Sequence, residues 1–258
     1  MARIICVANQ KGGVGKTTTA INLSAALAVM ERKTLLVDCD PQANTTSGLG
    51  VDATDLKADL YSIFYTPERE AVHRAILETR AQFLHLIPSS ISLVGVEVEL
   101  AAEIAREHYL KNILAQIKDE YEFILLDCPP SLGLLTLNAL CAGTEILIPL
   151  QCEFFALEGI AKLIGTYQKV KKLLNPELSI LGVLLTMFDG RNRIANDVKE
   201  EVRRSMPNHL LKTIIPRNVR LSEAPSYGKS IIRYDIKSKG AQAYLNLAQE
   251  VVERTPRD

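Results

Sequence analysis

Gln10-Lys11-Gly12-Gly13-Val14-Gly15-Lys16-Thr17-Thr18 stands between an apolar run, Arg3–Ala8, and an Ala- and Leu-rich segment, Thr17–Glu31. The short apolar run reads as a buried strand and the longer segment as a helix. Glycines between them let the backbone wrap tightly, so that successive N–H groups turn inward toward phosphate oxygens. The following helix adds the positive end of its dipole. Lys16 supplies a cation for the β- and γ-phosphates of a nucleotide, and Thr17 an oxygen for Mg²⁺. Gly12, Gly13, Val14, Gly15 and Thr18 complete the cradle. The common pattern G-x-x-x-x-G-K-[ST] asks for glycine at position 10, where this chain has Gln10. A second lysine, Lys11, precedes the glycines. A bare Gly-rich turn is the bland alternative, but the strand before and the helix after favour a ligand loop.

Outward from this loop, strand-like runs alternate with helical patterns. Buried-type strands are expected at Thr34–Asp38, Phe83–Ile87, Phe123–Asp127, Glu145–Leu150, Ile180–Thr186 and Leu211–Ile215. Helices are expected at Glu68–Thr79, along Val94–Lys118, and at Leu134–Ala142, Leu157–Leu174, Ala195–Ser205 and Ala241–Glu253. Residues 41–66 read as loop-rich, with one helical turn near Leu60–Phe64. Continuous apolar strands separated by helices predict an α/β fold, a mostly parallel, doubly wound sheet with helices on both faces. The 258 residues suit one such domain over 1–258. Ligands of these sheets sit at the carboxyl ends of the strands, where the polar motifs fall.

Hydrophobic residues make up 47% of the chain, enough for a large core. No run approaches the roughly 18 apolar residues of a membrane span, so a cytoplasmic protein is expected. The five cysteines show no metal-type C-x-x-C pair and lie beside apolar runs, which predicts buried thiols. Formal net charge is zero. Between Arg191 and Lys239, however, twelve Lys/Arg stand against five Asp/Glu, an excess of seven positive charges balanced by the rest of the chain. That asymmetry suggests a polyanion-binding face or, more plainly, a solvated surface.

Three acidic residues follow strand ends. Asp127 can hold Mg²⁺ through a water. Asp38 and Asp40 lie two apart and face one side of an extended chain. An Asx-turn into Pro41 is their bland alternative.

The spacing K-G-G-x-G-K-[ST]-T at 11–18 resembles the deviant Walker A loop of the ParA/MinD class of ATPases. Val37-Asp38-Cys39-Asp40-Pro41-Gln42 is similar to that class's switch I, and Leu125-Leu126-Asp127-Cys128-Pro129-Pro130-Ser131 to its Walker B and switch II. Pro149-Leu150-Gln151-Cys152-Glu153 and Ile215–Ser226 also match, so the resemblance spans nearly the whole chain and is strongest to Soj-like chromosomal ParA proteins.

The resemblance implies ATP with Mg²⁺ as ligands and slow hydrolysis. It makes Lys11, Lys16 and Asp40 catalytic, with Asp40 aligning the attacking water and Asp38 supporting the magnesium shell or the loop. Lys11 is expected to cross into a homodimer and touch the partner's nucleotide, with Glu153 only a secondary candidate for contact with that nucleotide. Pro216 and Asn218 are expected to hold the adenine. Arg191 and Arg220 match positions that bind DNA, with Arg193, Arg217, Lys229 and Arg233 as further candidates. No helix-turn-helix precedes Arg3, so non-specific double-stranded DNA is expected, bound through phosphates on the nucleoid. The implied protein partner is a ParB-type DNA-binding protein that stimulates hydrolysis.

Two other classes share this scaffold. A MinD-like membrane-cycling ATPase needs a basic amphipathic C-terminal helix. The tail Glu250–Asp258 is short, partly acidic and broken by Pro256, so no membrane partner is expected. An iron–sulfur reductase needs a cysteine well upstream of Walker B, and there is none between Cys39 and Cys128.

Overall fold

The computed structural model describes residues 2–153 and 156–254, without the side chains of residues 156–159 and 161. Eight strands form one sheet: β1 (Arg3–Val7), β2 (Thr34–Asp38), β3 (Leu77–Glu78), β4 (Leu84–Ile87), β5 (Phe123–Asp127), β6 (Glu145–Gln151), β7 (Ser179–Phe188) and β8 (Leu210–Pro216). Their order is β3-β4-β2-β5-β1-β6-β7-β8, and every pairing is parallel except that of β3 with β4. The strand β1 therefore lies inside the sheet between β5 and β6. Its carboxyl end is in register with that of β5, and β5 with that of β2 beyond it, with Val7 opposite Asp127 and Asp127 opposite Asp38.

The helices are α1 (Lys16–Val29), α2 (Asn44–Gly48), α3 (Leu60–Tyr65), α4 (Arg69–Ala75), α5 (Val94–Glu99), α6 (Tyr109–Ala115), α7 (Leu134–Ala142), α8 (Ala156–Leu173), α9 (Arg193–Ser205), α10 (Val219–Glu223), α11 (Ile231–Tyr234) and α12 (Lys239–Glu253). They cover both faces. Successive side chains of a strand point to opposite sides. Ile4, Cys6 and Ala8 thus join one core with α3–α9, while Ile5 and Val7 join a second core with α1 and α10–α12. The residues Thr19–Ala28 of α1 are buried all round, which fits their run of alanine and leucine rather than an amphipathic stripe. All five cysteines are buried and free. Among the described residues, no helix is long and apolar enough to cross a membrane.

Two expected helices break. The one expected at Glu68–Thr79 ends at Ala75, and Leu77–Glu78 pairs antiparallel with β4 at the sheet edge. Thr79 Oγ1 closes that hairpin on the Leu84 carbonyl at 2.8 Å. The long pattern Val94–Lys118 splits into α5, a short 3₁₀ turn and α6, because Ala105 takes a left-handed φ of 56°. Asn138 of α7 holds the break, accepting from Leu110 N at 3.0 Å and donating to the Arg106 carbonyl at 2.8 Å. Apolar spacing alone does not encode that contact. The elements α2, α10 and α11 are four or five residues long, too short to show a period.

Candidate nucleotide site

The loop after β1 turns on glycines where only glycine turns cheaply. Gly13 has φ 74° and Gly15, at the head of α1, has φ 89°. Two polar side chains outside the motif pin it. Asn9 donates to the Pro149 carbonyl at 2.7 Å and accepts from Lys11 N at 3.0 Å. Thr186 of β7 donates to the Val14 carbonyl at 2.8 Å, and Val14 itself is fully buried. Neither Asn9 nor Thr186 carries a motif signal; an isolated polar residue at the end of an apolar strand run was the available hint.

Lys16 is only 7% exposed. Its ammonium donates to the Lys11 carbonyl at 3.1 Å and is ion-paired to no carboxylate among the described residues. Burial lowers its pKa, while the charges of Asp127 and Asp40 oppose that fall. Lys11 turns away from the loop, and its ammonium pairs with Glu153 at 2.6 Å across an exposed surface.

Asp38 and Asp127 end neighbouring strands and are fully buried. Asp127 Oδ2 accepts from Thr45 Oγ1 at 2.7 Å, whereas its buried Oδ1 has no hydrogen-bond partner. Burial pushes the Asp127 carboxyl up to about 6, against the Thr45 hydrogen bond and the nearby Thr17 hydroxyl and Lys16 charge, which lower it. Burial and the neighbouring Asp127 push Asp38 up to about 7. Asp38 is committed to backbone support: Oδ2 accepts from Thr46 N at 2.9 Å and Thr46 Oγ1 at 2.7 Å, and Oδ1 from Asp40 N at 3.2 Å. Asp40, 8% exposed, accepts from Gln42 N at 2.9 Å.

Among the described residues, no cluster of three or more His, Cys, Asp or Glu forms a metal cage. Magnesium bound with nucleotide phosphates needs only one or two carboxylates. The Thr17 hydroxyl and the orphaned oxygen of Asp127 are ligands of that hard type, so the residues present fit the ion.

A cavity of about 700 Å³ runs from the loop to the carboxyl end of β8. Gly12, Gly13, Gly15, Lys16, Thr17 and Thr18 line one end, with Asp40 beside them. Pro216 and Asn218 line the other. Lys11, Val14, Asp38 and Asp127 do not line it. Asn218 Oδ1 caps α10 by accepting from Arg220 N at 2.9 Å, which leaves its amide nitrogen and the second lone pair of Oδ1 to meet a ligand. Arg217, a further candidate for the basic face, also lines the cavity.

Arg191 and Arg220 lie outside the cavity, beyond the ends of β7 and β8. Both are already paired: Arg191 grips Asp189 at 2.9 and 2.7 Å, and Arg220 meets Glu223 at 2.8 Å. Arg191 holds the Asp189 carboxyl down to about 2. The Arg191 side chain is 91% exposed, so its pair is of the weak surface kind.

Comparison with known proteins agrees with this architecture. A family model described as an AAA domain matches residues 2–180. The chain is 52% identical over 260 residues to "Chromosome partitioning protein ParA" of Myxococcus xanthus, covering 100% of this chain and 90% of that protein. It is 51% identical over 251 residues to "Sporulation initiation inhibitor protein Soj" of Bacillus subtilis, covering 97% and 98%. Among solved structures, cobyrinic acid a,c-diamide synthase from Mycobacterium smegmatis with bound ATP analog and magnesium superposes with a TM-score of 0.84 at 36% identity, covering 96% of this chain and 93% of that one.

Proposed function

The chain belongs to the ParA/Soj family of chromosome-partitioning ATPases, and on that premise we propose that it is an ATP-driven switch for DNA segregation, acting as one ATPase domain. The loop Lys11–Thr18 clasps the phosphate tail of ATP. Its amides and Lys16 neutralise charge that develops as the γ-phosphoryl leaves. Thr17 and Asp127 would hold magnesium, which would supply positive charge against the β- and γ-phosphates. Asp38 supports the loop behind it. Asp40 aligns the attacking water from its place beside the phosphate end of the cavity. Pro216 and Asn218 hold the adenine at the far end.

Lys11 supplies the switch. In one chain it pairs with Glu153, and exposed pairs of that kind contribute about 0–1 kcal/mol. A triphosphate on a second copy outcompetes one carboxylate, so Lys11 transfers to it and the ATP state is a homodimer. The dimer doubles the number of Arg191 and Arg220 side chains facing DNA phosphates, and their pairs with Asp189 and Glu223 exchange readily. Binding is then non-specific, salt-sensitive and controlled by nucleotide. A ParB-type partner speeds the slow hydrolysis that releases the dimer from the nucleoid, in the cytoplasm.

A membrane-cycling role fits less well. The apolar residues Tyr244, Leu247 and Val251 of α12 are buried in the core, and residues 255–258 of the tail lie outside the described residues. The observation that carries the proposal is the single cavity joining the Lys16 loop, Asp40 and the Pro216–Asn218 turn. Asp40→Ala, sized by light scattering with ATP or ADP and with or without random duplex DNA, tests it. The expected result is a DNA-bound dimer that persists with ATP only; ATP turnover at the normal rate in this variant removes Asp40 from the mechanism.

A further inference from the structure

Asp127 and Asp38 sit side by side across the β2–β5 pairing, and neither forms an ion pair among the described residues. Two consecutive threonines at the start of α2 hold them. Thr45 Oγ1 donates to Asp127 Oδ2 at 2.7 Å. Thr46 gives both its N–H and its hydroxyl to Asp38 Oδ2, while its own Oγ1 accepts from Ser89 N at 2.9 Å. Both threonines are fully buried. Adjacent residues of a helical turn point about 100° apart, so one short turn can serve two different carboxylates. Ala43, at a left-handed φ of 52°, swings the chain from Asp40 into that turn.

We infer that Thr45 is a positioning residue for the magnesium corner of the site. Its hydroxyl occupies Asp127 Oδ2 and stops the carboxylate from rotating. The oxygen left over is Oδ1, buried and without a hydrogen-bond partner. Thr45 thereby selects which oxygen of Asp127 meets the water shell of the ion. Thr46 does the same for Asp38 but directs it to the backbone, which separates the tasks of two otherwise similar acids. This rests on the magnesium–nucleotide reading given above. Hydrogen bonds to directly ligating groups typically matter 10- to 100-fold in metal affinity, and Asp127 acts one water further out, so the low end of that range, about 10-fold, is the upper bound here.

The test uses Thr45→Ser, Thr45→Ala and Thr45→Val in the full chain. Binding of a fluorescent ATP analogue is titrated with magnesium, and repeated in EDTA. The serine and alanine variants both lose the methyl group, so their difference isolates the hydroxyl, and this pair decides the matter if the valine variant does not fold. The expected result is a magnesium midpoint raised severalfold, up to about 10-fold, in Ala and Val, near wild type in Ser, with binding in EDTA equal in all four proteins. Adding Thr45→Ala to Asp127→Asn is expected to shift the midpoint no further. Equal midpoints for Ser and Ala overturn the inference, as does an equal weakening with and without magnesium, which marks simple loss of packing. A wild-type protein whose nucleotide binding ignores magnesium sinks the underlying reading instead.

Discussion

Lys16 shows how a single residue declares its ligand. A buried ammonium resting on a carbonyl is poorly compensated, and its lowered pKa reflects that cost. A polyanion in the cavity removes the imbalance. Lys16→Ala is therefore expected to weaken ATP binding at least about 10-fold, from the roughly 1.5–3 kcal/mol of a charge-assisted hydrogen bond, without lowering the melting temperature of the nucleotide-free protein. Isothermal titration and calorimetry check the two halves. His85 gives a second prediction at this scale. Its Nδ1 lies 2.8 Å from the Tyr121 hydroxyl, and burial and Lys33 lower its pKa from the ordinary 6.5. The folded state then binds fewer protons than the unfolded one as pH falls through 6.5, so the contribution of His85 is present above that pH and lost below it. Urea midpoints at pH 7.5 and 5.5 are expected to differ between wild type and His85→Gln, with the wild type losing more on acidification.

At the scale of elements, the short helices after β2 and β8 matter most. Gly50, just after α2, lies against Gly228 so closely that a β-carbon on Gly228 would come within 2.6 Å of the Gly50 α-carbon. Thus the turn that holds the two carboxylates also touches the segment that carries Arg220. Asn218 belongs to both the cavity and this segment, because it lines the one and caps α10 at the backbone of Arg220. Arg191→Glu and Arg220→Glu are each expected to abolish DNA binding while leaving ATP-dependent dimers. If about four phosphates are neutralised per dimer, the wild-type log–log salt slope is about −3.6, and neutral Arg191→Ala should reduce its magnitude by about 1.8. Filter binding over a salt series measures it, and an unchanged slope places the DNA face elsewhere.

For the whole molecule, the proposed switch turns on Lys11 leaving the internal anion Glu153 for an external one. Lys11→Ala is expected to weaken ATP-dependent self-association far more than it weakens nucleotide binding by one chain. Sedimentation velocity with ATP, in the Asp40→Ala background to stop turnover, distinguishes the two effects. Dimers of undiminished stability would show that Lys11 remains with Glu153.

The sequence by itself determined the parallel sheet, because buried strands and the helices between them are written in runs of a few residues. It also marked the phosphate loop, since left-handed turns at Gly13 and Gly15 demand glycine locally. Local spacing misjudged Val94–Lys118, where a side chain from α7 imposes the break. Only the tertiary structure decided that Lys11 meets Glu153, 142 residues away, that Asn9 pins the loop to β6, and that Thr45 and Thr46 each hold one of the two acids. Those contacts depend on which strand ends lie side by side. Strand order arises from long-range packing of two cores on one sheet, and no short stretch of chain contains it.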